Sequence, residues 1–180
     1  MLNEGKSKRL FGLALWLVLL LFIFSIPFMP LVLDKELDVS FLDENGNKQA
    51  LVFFGFRGCS DVCPMTLSIL KQLFDSQENS SQWPQVIFVD IDAHSNTTQA
   101  EKFAKQFHSS FVGLHVLPEN ITELSDKFGL KIKQRNEQIS HLGKTYLLRR
   151  IADDWRLVKI FNPNSFSVET MQNELFKFNH

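Results

Sequence analysis

The spacing of apolar residues changes several times along this chain, and each change predicts an element. Leu10 to Leu33 holds no charged residue at all. Leu37 to Leu42 alternates as a short strand, Asp43 to Asn47 supplies turn chemistry, and Lys48 to Phe56 returns as a β-rich run. Pro64 to about Ser76 takes helical spacing through Met65, Leu67, Ile69, Leu70, Leu73 and Phe74, with proline at the first helical position, where its missing N–H costs nothing. A Ser/Asn/Gln-rich loop leads to Trp83-Pro84, and Gln85 to Ile91 is the continuous apolar run expected of a buried parallel strand. After Asp92–Asn96 come a helix over Thr97–His108, a strand over Phe111–Leu117, and a helix over Pro118–Phe128 punctuated by proline and acid at its start and Gly129 at its end. Leu130 to Ser140 is polar and basic without a period and reads as a long loop. Lys144–Arg150 and Trp155–Phe161 flank Ala152-Asp153-Asp154 as an antiparallel hairpin, and residues 165–178 close the chain as an amphipathic helix capped by Ser165 or Ser167.

The predicted order is hairpin, β-α-β, an inserted α-β-α, then β-β-α. A βαβ unit joined to a ββα unit is the thioredoxin arrangement. The predicted fold class is therefore α/β, thioredoxin-like, behind an N-terminal transmembrane helix. Between Leu10 and Pro27 stand 13 Leu, Ile, Val or Phe residues. At roughly −0.3 to −0.6 kcal/mol each these give about −4 to −8 kcal/mol for insertion. The run reaches roughly 25–36 Å as a helix, against a hydrocarbon core of ~30 Å. No small-residue cleavage site follows it, so an uncleaved anchor is expected. The predicted parts are 1–9 cytoplasmic, 10–33 anchor and 34–180 folded domain.

Charge sharpens that picture. The net charge is −1; residues 1–9 carry Lys6, Lys8 and Arg9 against Glu4, for +2, which leaves −3 for residues 34–180. Basic residues ahead of the anchor keep that end in the cytoplasm and send the domain outside, into a periplasm or equivalent space bounded by the inner membrane. A slightly acidic domain makes nucleic acid an unsuitable partner.

The chain has two cysteines, Cys59 and Cys63, between the strand ending near Phe56 and the helix expected from Pro64. That puts both thiols at a strand's C-terminal end and Cys63 at a helix N-cap, where unpaired N–H groups and the helix dipole favour thiolate. Two soft thiolates four positions apart can converge on a metal or close into a disulfide, and spacing alone leaves both open, together with inert burial. Outside the cytoplasm, such a pair must be kept reduced or must cycle between dithiol and disulfide.

Gly55-Phe56-Arg57-Gly58-Cys59-Ser60-Asp61-Val62-Cys63-Pro64, after a hydrophobic strand and before a leucine-rich helix, resembles the signature of the Sco/SenC family. These are membrane-anchored copper proteins of cytochrome c oxidase assembly. The resemblance covers about residues 37 to 178. It departs in a trimmed hairpin before the central strand, and in the loop at Asp92, which keeps Asp92 and Thr97 but lacks both prolines and the arginine of the family's Asp-Pro-x-Arg-Asp-Thr-Pro. It implies a copper site, for Cu(I) or Cu(II), made by Cys59, Cys63 and His141, the last standing ahead of a Tyr146-Leu147 strand. It also implies delivery of copper to the second subunit of cytochrome c oxidase, served by a thiol reductase or another copper carrier.

Other residues compete for that site. His94 is the runner-up ligand, against a simpler reading as an exposed loop residue. His108 at a helix end suits the dipole, His115 lies within a strand, and His180 is the last residue. Asp61 reads as a surface acid that tunes the site and Met65 as core packing. Lys131, Lys133 and Arg135 form a solvated loop or a dock for an acidic partner. Two other functions use the same residues: a thiol–disulfide oxidoreductase that reduces client cysteines, with Cys59 and Cys63 as its redox pair, and a redox-sensing or binding module with a structural disulfide.

Overall fold

A computed structural model describes residues 12–21, 34–39, 41–42, 47–76, 83–130, 143–163 and 166–177, and the backbone of 133–135 and 138–140. The chain divides into two compact units, Met1–Val32 and Leu33–His180. In the first, residues 12–21 form helix α1 with its leucines and Trp16 exposed. At ~1.5 Å per residue, ten residues cover about half of a ~30 Å hydrocarbon core. Among the described residues no helix is long and apolar enough to cross a membrane. The span expected over 10–33 is thus not shown, and residues 10–11 and 22–33 of it lie outside those described.

The second unit is built on a six-stranded sheet. In chain order its elements are β1 (Lys35–Glu36), β2 (Gln49–Gly55), α2 (Val62–Asp75), β3 (Gln85–Asp90), α3 (Thr97–Lys105), β4 (Val112–His115), α4 (Pro118–Phe128), β5 (Lys133–Arg135), β6 (Gln138–Ser140), β7 (Thr145–Ile151), β8 (Asp154–Phe161) and α5 (Val168–Phe176). The sheet order is β1-β8-β7-β2-β3-β4. β2, β3 and β4 are parallel neighbours, while β7 runs antiparallel to both β2 and β8. This is the βαβ plus ββα arrangement, with α3-β4-α4 inserted between the halves, that the element order predicts.

Four local expectations need correction. Among the described residues no strand covers 37–42; Lys35–Glu36 pair with β8, and Leu37 N donates to the Trp155 carbonyl at 2.8 Å. Leu37, Val39 and Leu42 are buried nonetheless, so their spacing reported a strap packed on the sheet and not a ladder. The long loop expected over 130–140 contains β5 and β6, paired antiparallel as a separate two-stranded sheet. The helix after the cysteines begins at Val62, two residues earlier than its proline suggested. Pro64 is then the third helical residue, still within the first turn, where no N–H has an intrahelical partner. Finally, α3 stops at Lys105, short of His108.

The sheet buries both faces, which is why β2 is apolar from Ala50 to its end. Leu51, Phe53, Val86, Phe88 and Leu147 share one face with α2, α3 and α5; Val52, Phe54, Ile87, Val89, Tyr146 and Leu148 share the other with Phe128 and the 37–42 strap. Phe88 sits between Phe53 and Phe103, at ring-centroid distances of 6.1 and 5.1 Å. Its truncation in Phe88→Ala should remove about 3–5 kcal/mol of stability. Loss of the α5 cap, where Ser167 Oγ accepts from Thr170 N at 3.2 Å, should cost about 1 kcal/mol in Ser167→Ala. Urea midpoints of the two variants check this, and equal shifts would contradict the packing described.

Candidate metal centre

β2 delivers its last residue, Gly55, to a tight turn closed by a bond from Cys59 N to the Phe56 carbonyl at 3.1 Å. α2 then starts from Asp61 as N-cap, whose side chain makes no capping bond. Cys63 is the second residue of the helix, and its N–H donates to Cys59 Sγ at 3.4 Å. The turn therefore converges the two sulfur-bearing residues. Neither is in a disulfide; Cys59 is half-buried and Cys63 is fully buried.

That burial overturns the expectation of a thiolate at the helix N-cap. The Cys63 thiol is pushed above its ordinary range, first by burial and next by its hydrogen bond with Cys59. The magnitudes decide which effect wins. A helix terminus contributes about 0.3–1 kcal/mol. Full burial moves such groups by up to 3–5 pK units, at ~1.36 kcal/mol each. Desolvation thus outweighs the dipole, and the surroundings of Cys63 favour its neutral thiol.

Two glycines explain how tightly the sulfur is held. A Cβ at Gly55 would stand 3.0 Å from Cys63 Sγ and 3.0 Å from the rings of Phe53 and Phe88, so the sulfur and the two rings together leave no space for a side chain on the β2 backbone there. Gly143 has φ +56°, and a Cβ there would stand 2.1 Å from Val62 Cγ1. The backbone ahead of β7 therefore presses on a side chain lying between the two cysteines in sequence. His141, the expected third ligand, lies outside the described residues.

The SCO1/SenC family profile matches residues 34–179. The chain belongs to the SCO1/SenC family. Among its relatives is a SCO2-like protein of Rickettsia conorii, 27% identical over 128 residues, covering 62% of each chain. The chain thus spans a little under two thirds of that relative's length. Among solved structures, apo Sco1 of Thermus thermophilus superposes with a TM-score of 0.62 at 29% identity, covering 81% of this chain and 88% of that one. ScoI of Arabidopsis thaliana, solved with copper bound, gives 0.64 at 25% identity, covering 73% and 83%.

The other residues weighed for the site in this SCO1/SenC member are placed as follows. His94 is exposed in the loop after β3, where its backbone N–H, not its ring, donates to Asp92 Oδ1 at 3.0 Å. His115 Nε2 donates to the Asp92 carbonyl at 3.0 Å, which fixes its tautomer. His108 lies beyond the end of α3 and meets Ser110 Oγ at 2.7 Å, so its expected helix-end role falls to Lys102 and Lys105. Met65 is 43% exposed, a correction to its expected core packing. Asp61 is exposed. Lys133 and Arg135 fall in β5, while Lys131 and His180 lie outside the described residues. Among the described residues no group of three or more His, Cys, Asp or Glu is arranged to hold a metal.

Sequence reasoning missed Asp90. It ends β3 on the face shared by Val86 and Phe88, is fully buried, and lies close enough to raise the Cys63 thiol further. Its signal was present: period-two counting along Gln85–Asp90 puts an acid on the face carrying the cysteine helix. Burial raises its carboxyl above the usual range, opposed by bonds from Ser95 and the Asp92 N–H.

Raised thiol basicity has a measurable consequence. Below the ordinary thiol value of 9.0 both folded and unfolded Cys63 hold their proton, and the full stability is present. Above it the unfolded chain releases the proton while the folded chain retains it, so stability falls by about 1.36 kcal/mol per pH unit from this group. Urea midpoints of the reduced chain should drop between pH 9 and 10 more steeply than those of Cys63→Ser. Identical slopes would show that Cys63 is not buried as a thiol.

Proposed function

We propose that this chain is a membrane-anchored copper metallochaperone. It takes copper as cargo on Cys59, Cys63 and His141 and supports assembly of the copper site of cytochrome c oxidase, with the second subunit as client. The observation that carries the reading is the convergence of two reduced cysteines under the Gly143 segment. Gly143 stands two positions after His141, and two residues reach at most ~7 Å. Thiolates suit Cu(I), and imidazole suits copper without adding charge. A bound cation also reverses the electrostatics at Cys63, because it replaces the thiol protons and compensates the buried negative charge. The copper held by the Arabidopsis relative supports the same choice of metal.

The charge-free run over 10–33 supports a single-pass anchor in the inner membrane, with the N-terminus cytoplasmic and the domain in a periplasm or equivalent space. There the pair is served by a thiol reductase or another copper carrier. A reporter fused after His180 should be active only outside the cytoplasm; cytoplasmic activity would overturn the topology.

One observation favours a second reading. A half-exposed Cys59 beside a buried Cys63 suits thiol–disulfide exchange, in which an accessible sulfur attacks and a protected one resolves. His141 separates the two. His141→Ala should weaken Cu(II) binding at least tenfold and abolish oxidase assembly, while dithiol reductase activity stays within about tenfold, ~1.4 kcal/mol of barrier. Cys59→Ala and Cys63→Ala should remove both activities. Intact assembly in His141→Ala, lost in either cysteine variant, would replace the chaperone reading by the reductase one.

A further inference from the structure

Asp90 is linked to the cysteine turn by a bridge that the copper reading does not use. Arg57, two residues before Cys59, donates from Nε to Ser95 Oγ at 3.2 Å, and the same hydroxyl donates to Asp90 Oδ2 at 2.6 Å. Arg57 Nε also lies 3.6 Å from Asp90 Oδ2, and Asp92 N donates to Asp90 Oδ1 at 3.1 Å. Gly55 and Asp90 are register partners across β2 and β3, and Ile91 N donates to the Gly55 carbonyl at 2.9 Å. The carboxylate therefore stands beside the point where the chain leaves the sheet for the cysteines. The loop after β3 has no arginine between Asp92 and Thr97; its guanidinium comes from the cysteine turn instead. A fully buried carboxylate with a third-exposed arginine is a costly pair for stability alone.

We infer that Arg57, Ser95 and Asp90 form a positioning latch that pins the Cys59 turn to the end of β3 and favours the open dithiol over the disulfide. The inference rests on the reading of Cys59 and Cys63 as a functional pair. In the latched turn Cys63 N donates to Cys59 Sγ. Closing the disulfide bonds the two sulfurs to each other and releases two electrons and two protons, which oxidised glutathione takes up to become two thiols. A turn pinned two residues before Cys59 resists the movement this demands.

The test uses the full chain equilibrated in glutathione buffers, with thermal midpoints of the reduced proteins recorded alongside. Ser95→Ala and Arg57→Gln should each shift the equilibrium toward the disulfide by about tenfold, ~30 mV for a two-electron couple. Ser95→Thr, which keeps the bridging hydroxyl, should restore the wild-type constant, and Arg57→Lys, which lacks the Nε donor, should not. A merely structural role would lower the midpoints of both deficient variants and leave their equilibrium constants unchanged, and that result would overturn the latch. Equal deficiency of Ser95→Thr and Ser95→Ala would overturn it too. A wild-type chain that forms no reversible disulfide would fail at an earlier step, sinking the functional-pair reading and the latch with it.

Discussion

The site depends on the contact between Cys63 Sγ and the backbone of Gly55. It places one of two neighbouring sulfurs inside the core while the other stays within reach of solvent. A side chain at Gly55 would displace the sulfur, because a Cβ there meets Sγ and two rings at 3.0 Å. Helix α2 must approach β2 closely for this contact to exist. Its register is set by Leu67, Leu70 and Leu73, which bury fully on the same face. The sheet, the helix and the thiol chemistry are therefore one packing problem.

Two flanking contacts turn that packing into a site. From the β7 side, Gly143 lies on Val62, at a φ that favours glycine and with no room for a Cβ. From the β3 side, the Asp90 carboxylate reaches the turn through Ser95 and Arg57. The cysteine loop is thus gripped by two neighbouring strands of its sheet, and neither grip needs a regular element at the loop itself. A loop held in this way is pre-organised, and pre-organisation in general lowers the cost of binding.

Much of this was legible in the residues. Strands buried on two faces announce themselves as continuous apolar runs, so β2 and β3 were readable, as were α4 with its Pro118 and Gly129 and the β7–β8 hairpin. The cysteine motif carried the family. What failed was what sequence periodicity does not encode. Leu37, Val39 and Leu42 bury without pairing, because burial and hydrogen bonding are separate facts about a segment. The β5–β6 pair is polar in sequence, so its residues carry no apolar period to read. Helix-dipole reasoning about Cys63 ignored depth, and at this depth desolvation outweighs the dipole. Asp90 was passed over because it was counted within the apolar run over Gln85–Ile91, whose length hid the one acid it contains.

On the proposed reading as a copper carrier, this turn would present two sulfurs and one imidazole to the metal. X-ray absorption at the copper edge of the reduced, copper-loaded chain tests that ligand set. Two sulfur scatterers and one imidazole nitrogen, with the nitrogen lost in His141→Ala, is the expected result. A shell of nitrogen and oxygen without sulfur would refute it, because the cysteines would then be packing and redox groups only.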